Sequence, residues 1–263
     1  STGIKFWMPL FEELYRELLA IKARKIHRRP LALKESPPPI PFQKEICVKG
    51  IQFHYPGIEE NVLSNVNFCV PKGCFVGIVG PSGAGKTTFV DILLGLLPST
   101  EGTIMVDGTD VRQNLRAWQA NLAYVPQSIY LVDASIRENV ALGESSEAID
   151  DERVKKALEM AELTEFVATQ PKGVETVVGE RGVKLSGGQR QRIGIARALY
   201  QQPNVLILDE ATSALDNETE KSITKTILKL KGRITIISIA HRVSTLEECD
   251  FKVQFESGVA TVL

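Results

Sequence analysis

Phe75-Val-Gly-Ile-Val79, a short apolar run, leads straight into the octet Gly80-Pro-Ser-Gly-Ala-Gly-Lys86-Thr87. The octet fits G-x-x-x-x-G-K-[ST]. The adjoining stretch, Thr88-Phe-Val-Asp-Ile-Leu-Leu-Gly-Leu-Leu97, is rich in helix formers and stops at Pro98. This order predicts a strand over 75–79, a tight turn and a helix over 86–97. Glycine at positions 83 and 85 leaves backbone N–H groups uncovered, so they can wrap a chain of phosphates. In such a loop Lys86 reaches the β- and γ-phosphates and the Thr87 hydroxyl is offered to Mg²⁺. The helix N-terminus adds partial positive charge at the same spot. The octet therefore predicts a nucleoside triphosphate site.

The 263 residues suffice for one large or two small domains with a substantial core. Apolar residues make up 43% and charged residues 24%, an ordinary globular balance, and a net charge of −1 gives no electrostatic case for a nucleic-acid partner. Cys47, Cys69, Cys74 and Cys249 form no C-x-x-C pair and no zinc-like spacing. They are expected to be reduced thiols in a cytosolic compartment. No run approaches the roughly 18 uninterrupted apolar residues of a membrane span. Residues 1–20 lack the basic start and cleavage site of a signal peptide. These features predict a soluble domain.

Three zones differ in composition. In residues 1–29, Trp7, Leu10, Leu14 and Leu18 recur at helical spacing among Glu12, Glu13, Arg16 and Glu17, which predicts an amphipathic helix. A basic cluster of Lys22, Arg24, Lys25, Arg28 and Arg29 ends it. Residues 30–45 form a Pro-rich linker, with five of the thirteen prolines between 30 and 41, an extended and semi-rigid spacer. Residues 46–263 read as one α/β domain. Alternating segments at Ile46–Tyr55 and Leu63–Val70 predict a small antiparallel sheet. Strands are expected near 122–125, 204–208 and 233–239; Val205–Leu208 and Ile234–Ile239 are nearly continuous apolar runs, as expected of a mostly parallel sheet buried on both faces. Between about 133 and 184 the pattern turns helical, notably over Asp150–Ala161, and predicts an inserted α-helical subdomain.

Two further stretches carry chemistry. Val205-Leu-Ile-Leu208 ends in Asp209-Glu210, beyond the carboxyl end of a strand, where open α/β sheets bind ligands. Asp209 is suited to hold Mg²⁺ as a hard oxygen ligand, and Glu210 to orient and polarise an attacking water. Leu185-Ser-Gly-Gly-Gln189 precedes a helix whose buried face is predicted to be Ile193, Ala196, Leu199 and Tyr200. Ser186 and Gln189 form a capping box at its start. Gly187 and Gly188 sacrifice up to ~1 kcal/mol apiece in a first turn, which makes sense where something approaches bare backbone. A serine hydroxyl, open N–H groups and a helix N-terminus describe a second anion site.

With these pieces in place the chain resembles the ATP-binding cassette (ABC) superfamily of P-loop NTPases over residues 46 to about 258. Gly80–Thr87 is similar to a Walker A loop, Val205–Glu210 to a Walker B strand, and Leu185–Gln189 to the signature motif. Tyr55 resembles the A-loop aromatic that stacks on adenine, Gln127 the Q-loop glutamine, Ser213-Ala-Leu-Asp216 the D-loop, and His241 the switch histidine. The resemblance implies ATP and Mg²⁺ as ligands. ATP contacts would fall on Tyr55, Gly80, Ser82, Gly83, Gly85, Lys86, Thr87 and Thr88, with Ser186, Gly187, Gly188, Gln189 and Asp216 acting from across the interface. Thr87, Gln127 and Asp209 would hold the metal, and Glu210, His241 and Gln127 would be catalytic. In this superfamily the signature helix faces the γ-phosphate on the partner's P-loop, which implies a head-to-tail homodimer enclosing two nucleotides.

Thr176-Val-Val-Gly-Glu-Arg-Gly182 and Leu131-Val-Asp-Ala-Ser-Ile-Arg-Glu-Asn139 resemble exporter-type cassettes. On that resemblance, residues 5–26 would be the cytosolic end of a last membrane helix of a longer polypeptide. The domain would work on the cytoplasmic side of the cell membrane, the inner membrane in a bacterium, with a transmembrane domain of the same or a partner chain. Leu115-Arg-Ala-Trp-Gln119 and Tyr124-Val-Pro-Gln-Ser-Ile-Tyr-Leu131 are similar to flippases of bacterial polysaccharides and lipid-linked oligosaccharides. The alternative is a soluble ABC clamp acting on DNA or ribosomes, which usually carries long coiled coils or paired cassettes; neither is visible here. Phe251–Leu263 departs from the family in showing no helical tail.

Overall fold

Every second residue of the strand Leu63–Pro71 is buried from Val66 onward, and the strand Glu45–Phe53 pairs beside it in antiparallel register, Ile46 opposite Val70 and Phe53 opposite Leu63. These two strands, β1 (Glu45–Phe53) and β2 (Leu63–Pro71), belong to a four-stranded antiparallel sheet ordered β2-β1-β4-β5, with β4 at Glu101–Val106 and β5 at Thr109–Asp110. The computed structural model describes residues 39–209, 217–239 and 247–263. The expected amphipathic helix of residues 1–29 and the first part of the Pro-rich spacer lie outside them. Residues 40–45 dock on the domain: Phe42 is buried, and the Asp107 carboxylate accepts from the N–H groups of Gln43, Lys44 and Glu45.

The second sheet is the α/β core. Its order is β10-β9-β3-β8-β7-β6, from β3 (Phe75–Val79), β6 (Leu122–Val125), β7 (Val205–Asp209), β8 (Thr235–Ile239), β9 (Phe251–Glu256) and β10 (Val259–Val262). All neighbours are parallel except the β9–β10 hairpin at one edge. Side chains of a strand alternate between faces, and here each face has its own core. Val205 and Ile207 pack with the antiparallel sheet and the helix α1 (Lys86–Leu93). Leu206 and Leu208 pack with the helices on the other side. The fold is thus α/β, with a mostly parallel P-loop sheet and a small antiparallel subdomain, as the sequence predicts.

Helix α1 ends at Leu93, four residues short of the expected 97. Gly95 (φ 71°) stops it in a Schellman motif: Leu96 N donates to Asp91 O at 2.8 Å and Gly95 N to Ile92 O at 3.0 Å. The stop is therefore the glycine, not Pro98. After α2 (Leu115–Gln119) and β6 come α3 (Ile136–Val140), α4 (Asp151–Met160) and α5 (Thr164–Ala168). Each of the first two insert helices is capped by its sequence, Ser135 with Glu138 in a capping box for α3 and the Asp150 carboxylate for α4. Helix α6 (Gly187–Tyr200) packs against α3 and α4, and α7 (Asn217–Leu228) comes after β7.

One sequence expectation is corrected outright. Cys47 and Cys69 are not separate reduced thiols but a disulfide across β1 and β2. They sit directly opposite each other in the antiparallel register, a closeness that a separation of 22 residues conceals. Cys74 and Cys249 are not part of a disulfide. Among the described residues, no helix is long and apolar enough to cross a membrane.

Candidate functional site

The loop after β3 opens into a cleft of about 580 Å³ lined by Ser82, Gly83, Gly85, Lys86, Thr87 and Thr88, with Val62 and Ile239 as apolar walls. That volume lies within the roughly 300–1,000 Å³ of small-molecule sites. Gly85 is the N-cap of α1 at φ 98°, and no side chain caps the helix, so none competes for its first N–H groups. Gly83 (φ 79°) has no heavy atom within 4 Å of where a Cβ would stand. Its bare backbone faces free space that a phosphate can enter. Gly80 answers a different need: a Cβ there would lie 2.1 Å from the Phe255 carbonyl oxygen of β9.

Lys86 is buried, and its ammonium donates to the carbonyl oxygens of Gly80 at 2.8 Å and Pro81 at 2.7 Å. The side chain thus lies back over the loop, inside the anion cradle it helps to form. Tyr55 stands at the rim, its ring edge-on to Phe53 at 4.9 Å and its hydroxyl 3.2 Å from the Thr88 hydroxyl. At 39% exposure the side chain remains accessible to solvent.

Asp209 closes β7 at the carboxyl edge of the sheet. Its Oδ2 accepts a hydrogen bond of 2.8 Å from the Tyr124 hydroxyl. Burial first, then the bond to Asp209 and the charges of Asp209 and Asp91, push the Tyr124 phenol well above its ordinary range, so it stays a donor. Burial, and after it the negative charge of Asp209, raise Asp91 on α1. Neither Tyr124 nor Asp91 is among the site residues expected from sequence. The signal available is the alternation of β6, which puts Tyr124 on the face away from Ala123 and Val125.

The signature segment forms as expected. Ser186 caps α6 with its hydroxyl accepting from Gln189 N at 3.2 Å, while the Gln189 side chain accepts from Ser186 N at 2.9 Å. Ile193, Ala196, Leu199 and Tyr200 are all buried. Ser186 is exposed, Gly187 half-buried and Gly188 buried. A Cβ on Gly188 would meet the Thr219 side chain at 2.5 Å, so that glycine is explained by packing within the chain. None of these residues lines the cleft around Lys86. Gln127 is exposed, two residues beyond the end of β6. Glu210, Asp216 and His241 lie outside the described residues.

A cradle with bare backbone, a buried lysine and a strand-end aspartate is a nucleotide-site geometry shared by many P-loop proteins. Comparison with known proteins decides which. The sequence profile of the ABC transporter family matches residues 63–213, more than half of the chain. This chain belongs to the ABC transporter family. It is 44% identical over 216 residues to an ATP-dependent lipid A-core flippase of Burkholderia orbicola, covering 81% of this chain and 36% of that protein. To the mitochondrial ATP-binding cassette sub-family B member 10 of Mus musculus it is 40% identical over 220 residues, 82% of this chain and 31% of that one. A solved structure of a bacterial Atm1-family ABC exporter with ATP bound superposes with a TM-score of 0.75 at 37% identity, covering 85% of this chain and 39% of the other. The chain thus spans about a third of the length of the curated relatives it matches. The Burkholderia relative is named a flippase and the solved neighbour an exporter, which favours a transporter over the soluble clamp.

Proposed function

We propose that this chain is the ATP-hydrolysing motor of an ABC exporter, acting on the cytoplasmic side of a membrane, the inner membrane of a bacterium, and pairing head to tail with a second copy. The observation that carries the reading is the cradle itself: the Lys86 ammonium on the carbonyls of Gly80 and Pro81, beside the uncapped N-terminus of α1 and the open backbone of Gly83. A triphosphate entering there would exchange those carbonyls for phosphate oxygens, which bind an ammonium more strongly because both partners are charged.

Within that reading each residue has a stated task. Tyr55 would stack on the base. Gly80, Ser82, Gly83, Gly85 and Thr88 would shape and line the loop around the phosphates. The Thr87 hydroxyl, the Gln127 amide oxygen and the Asp209 carboxylate would hold Mg²⁺, and as hard oxygens their chemistry fits it. When bound, the metal would neutralise charge on the β- and γ-phosphate oxygens. Glu210 would orient and polarise the attacking water, and His241 would hold the γ-phosphate side of the site. Ser186, Gly187, Gly188, Gln189 and Asp216 would close a second copy's cleft. The exposed Ser186 hydroxyl at a helix N-terminus, absent from its own chain's cleft, supports that arrangement.

Residues 1–29 and 30–45 would join the domain to a transmembrane domain of the same or a partner polypeptide. Similarity to lipid A-core flippases supports a lipid-linked glycan as cargo. Phosphate release by the 263-residue chain with Mg-ATP tests the motor reading. Glu210→Gln and Lys86→Ala should each reduce turnover by about 10²-fold or more. Turnover that survives both would refute it.

A further inference from the structure

Tyr124 is a side chain of β6 that no motif of the nucleotide site includes, yet it touches the strand-end aspartate. The route is set by the sheet. In the parallel register Tyr124 stands beside Ile207, and Asp209 lies two residues further along β7 on the same face. That face is the one covered by α1, since Ile207 packs there with Phe89 and Val90. Tyr124 reaches along this face and donates to Asp209 Oδ2 at 2.8 Å. Asp91, on α1, brings a second carboxylate close enough to feel the Asp209 charge. A neutral donor thus engages the carboxylate at the strand end.

We propose that Tyr124 is a positioning residue for the metal: its hydroxyl fixes the rotation of the Asp209 carboxylate and keeps it aimed for Mg²⁺. The inference rests on Asp209 being a metal ligand. Outer-shell partners of this kind typically change metal affinity by about 10–100-fold when removed. Tyr124 also stands three residues before Gln127 on the same run of chain. Its grip on Asp209 therefore ties the start of that segment to the metal position.

The test uses the full chain and Tyr124→Phe, which deletes one oxygen from a partly exposed ring. Mn²⁺ binding in the presence of saturating ADP, followed by electron paramagnetic resonance, should weaken about tenfold. ADP affinity in EDTA and the melting temperature in EDTA should match the parent, which a merely structural role for the hydroxyl would not allow. In turnover, the half-saturating Mg²⁺ concentration should rise while the nucleotide KM measured at saturating metal holds. Asp209→Asn is run alongside. If it abolishes Mn²⁺ binding while Tyr124→Phe leaves it unchanged or tightens it, the positioning role is wrong and the site reading survives. If Asp209→Asn also leaves Mn²⁺ binding intact, Asp209 is not a ligand and both fall. Should Tyr124→Phe unfold the chain, the hydroxyl is structural and the proposal is overturned.

Discussion

A Cβ placed on Gly188 would lie 2.5 Å from the Cγ2 methyl of Thr219. The first turn of α6 and the start of α7 therefore touch with no room for a methyl between them, and the signature segment is held by the element that comes after β7. Gly188→Ala should destabilise the domain by about 1 kcal/mol or more, because overpacking outweighs the helix propensity gained. Thr219→Ser removes the obstructing methyl. Chemical denaturation of the two single variants and the double variant should show a favourable coupling; strictly additive losses would mean the contact is not tight.

Lys86 should behave as a residue with two sets of partners. Lys86→Ala removes two charge-assisted bonds to the loop carbonyls, so the nucleotide-free domain should lose about 1–3 kcal/mol. ATP at a hundred times its dissociation constant should stabilise the parent by about 2.7 kcal/mol and leave the variant unchanged. Thermal melts with and without nucleotide measure both. A variant still stabilised by ATP would remove Lys86 from the site.

Glu162 ties α4's end to α6 and α7 through Lys229, Arg192 and the Thr226 hydroxyl. The Lys229 ammonium above all, with Thr226 and Arg192 overcoming burial, brings its carboxyl from 4.5 to about 2. A depressed folded-state pKa stabilises above the unfolded value and is lost as pH falls through the folded one. Stability should therefore decline between pH 4.5 and about 2, and Glu162→Gln should flatten that part of the melting-temperature profile. An unchanged slope would show that the cluster is too well solvated to matter.

The Cys47–Cys69 bond closes a loop across a separation of 22 residues. On the chain-entropy view its loss should cost about 3 kcal/mol. Melts with and without a thiol reductant, repeated on Cys47→Ser, should show the drop in the parent only. A parent indifferent to reductant would mean the bond contributes nothing to stability.

How much of the fold is legible in sequence depends on the range of each interaction. The loop at 80–87, the Ser186–Gln189 cap and the two-faced strands β7 and β8 depend on neighbours within a few positions, so their pattern is written locally. The helix end at Leu93 is local too, but its signal is Gly95, which Pro98 overshadows. Strands β4, β5, β9 and β10 escape a local reading because short segments such as Phe251–Glu256 are strands only by virtue of the partner they pair with. The same holds for the site. Tyr124 and Asp209 are 85 positions apart, and Gly188 and Thr219 meet only once two helices are packed. Local spacing identifies the loop; register identifies what supports it.

In the proposed dimer the cleft around Lys86 is completed by the Ser186–Gln189 segment of another copy. The most direct measurement is the mass of the Glu210→Gln chain by light scattering after gel filtration, with and without Mg-ATP at high protein concentration. A dimer that appears only with Mg-ATP, and is lost when Ser186→Arg is added, is the predicted result. A chain that stays monomeric with Mg-ATP bound would contradict it.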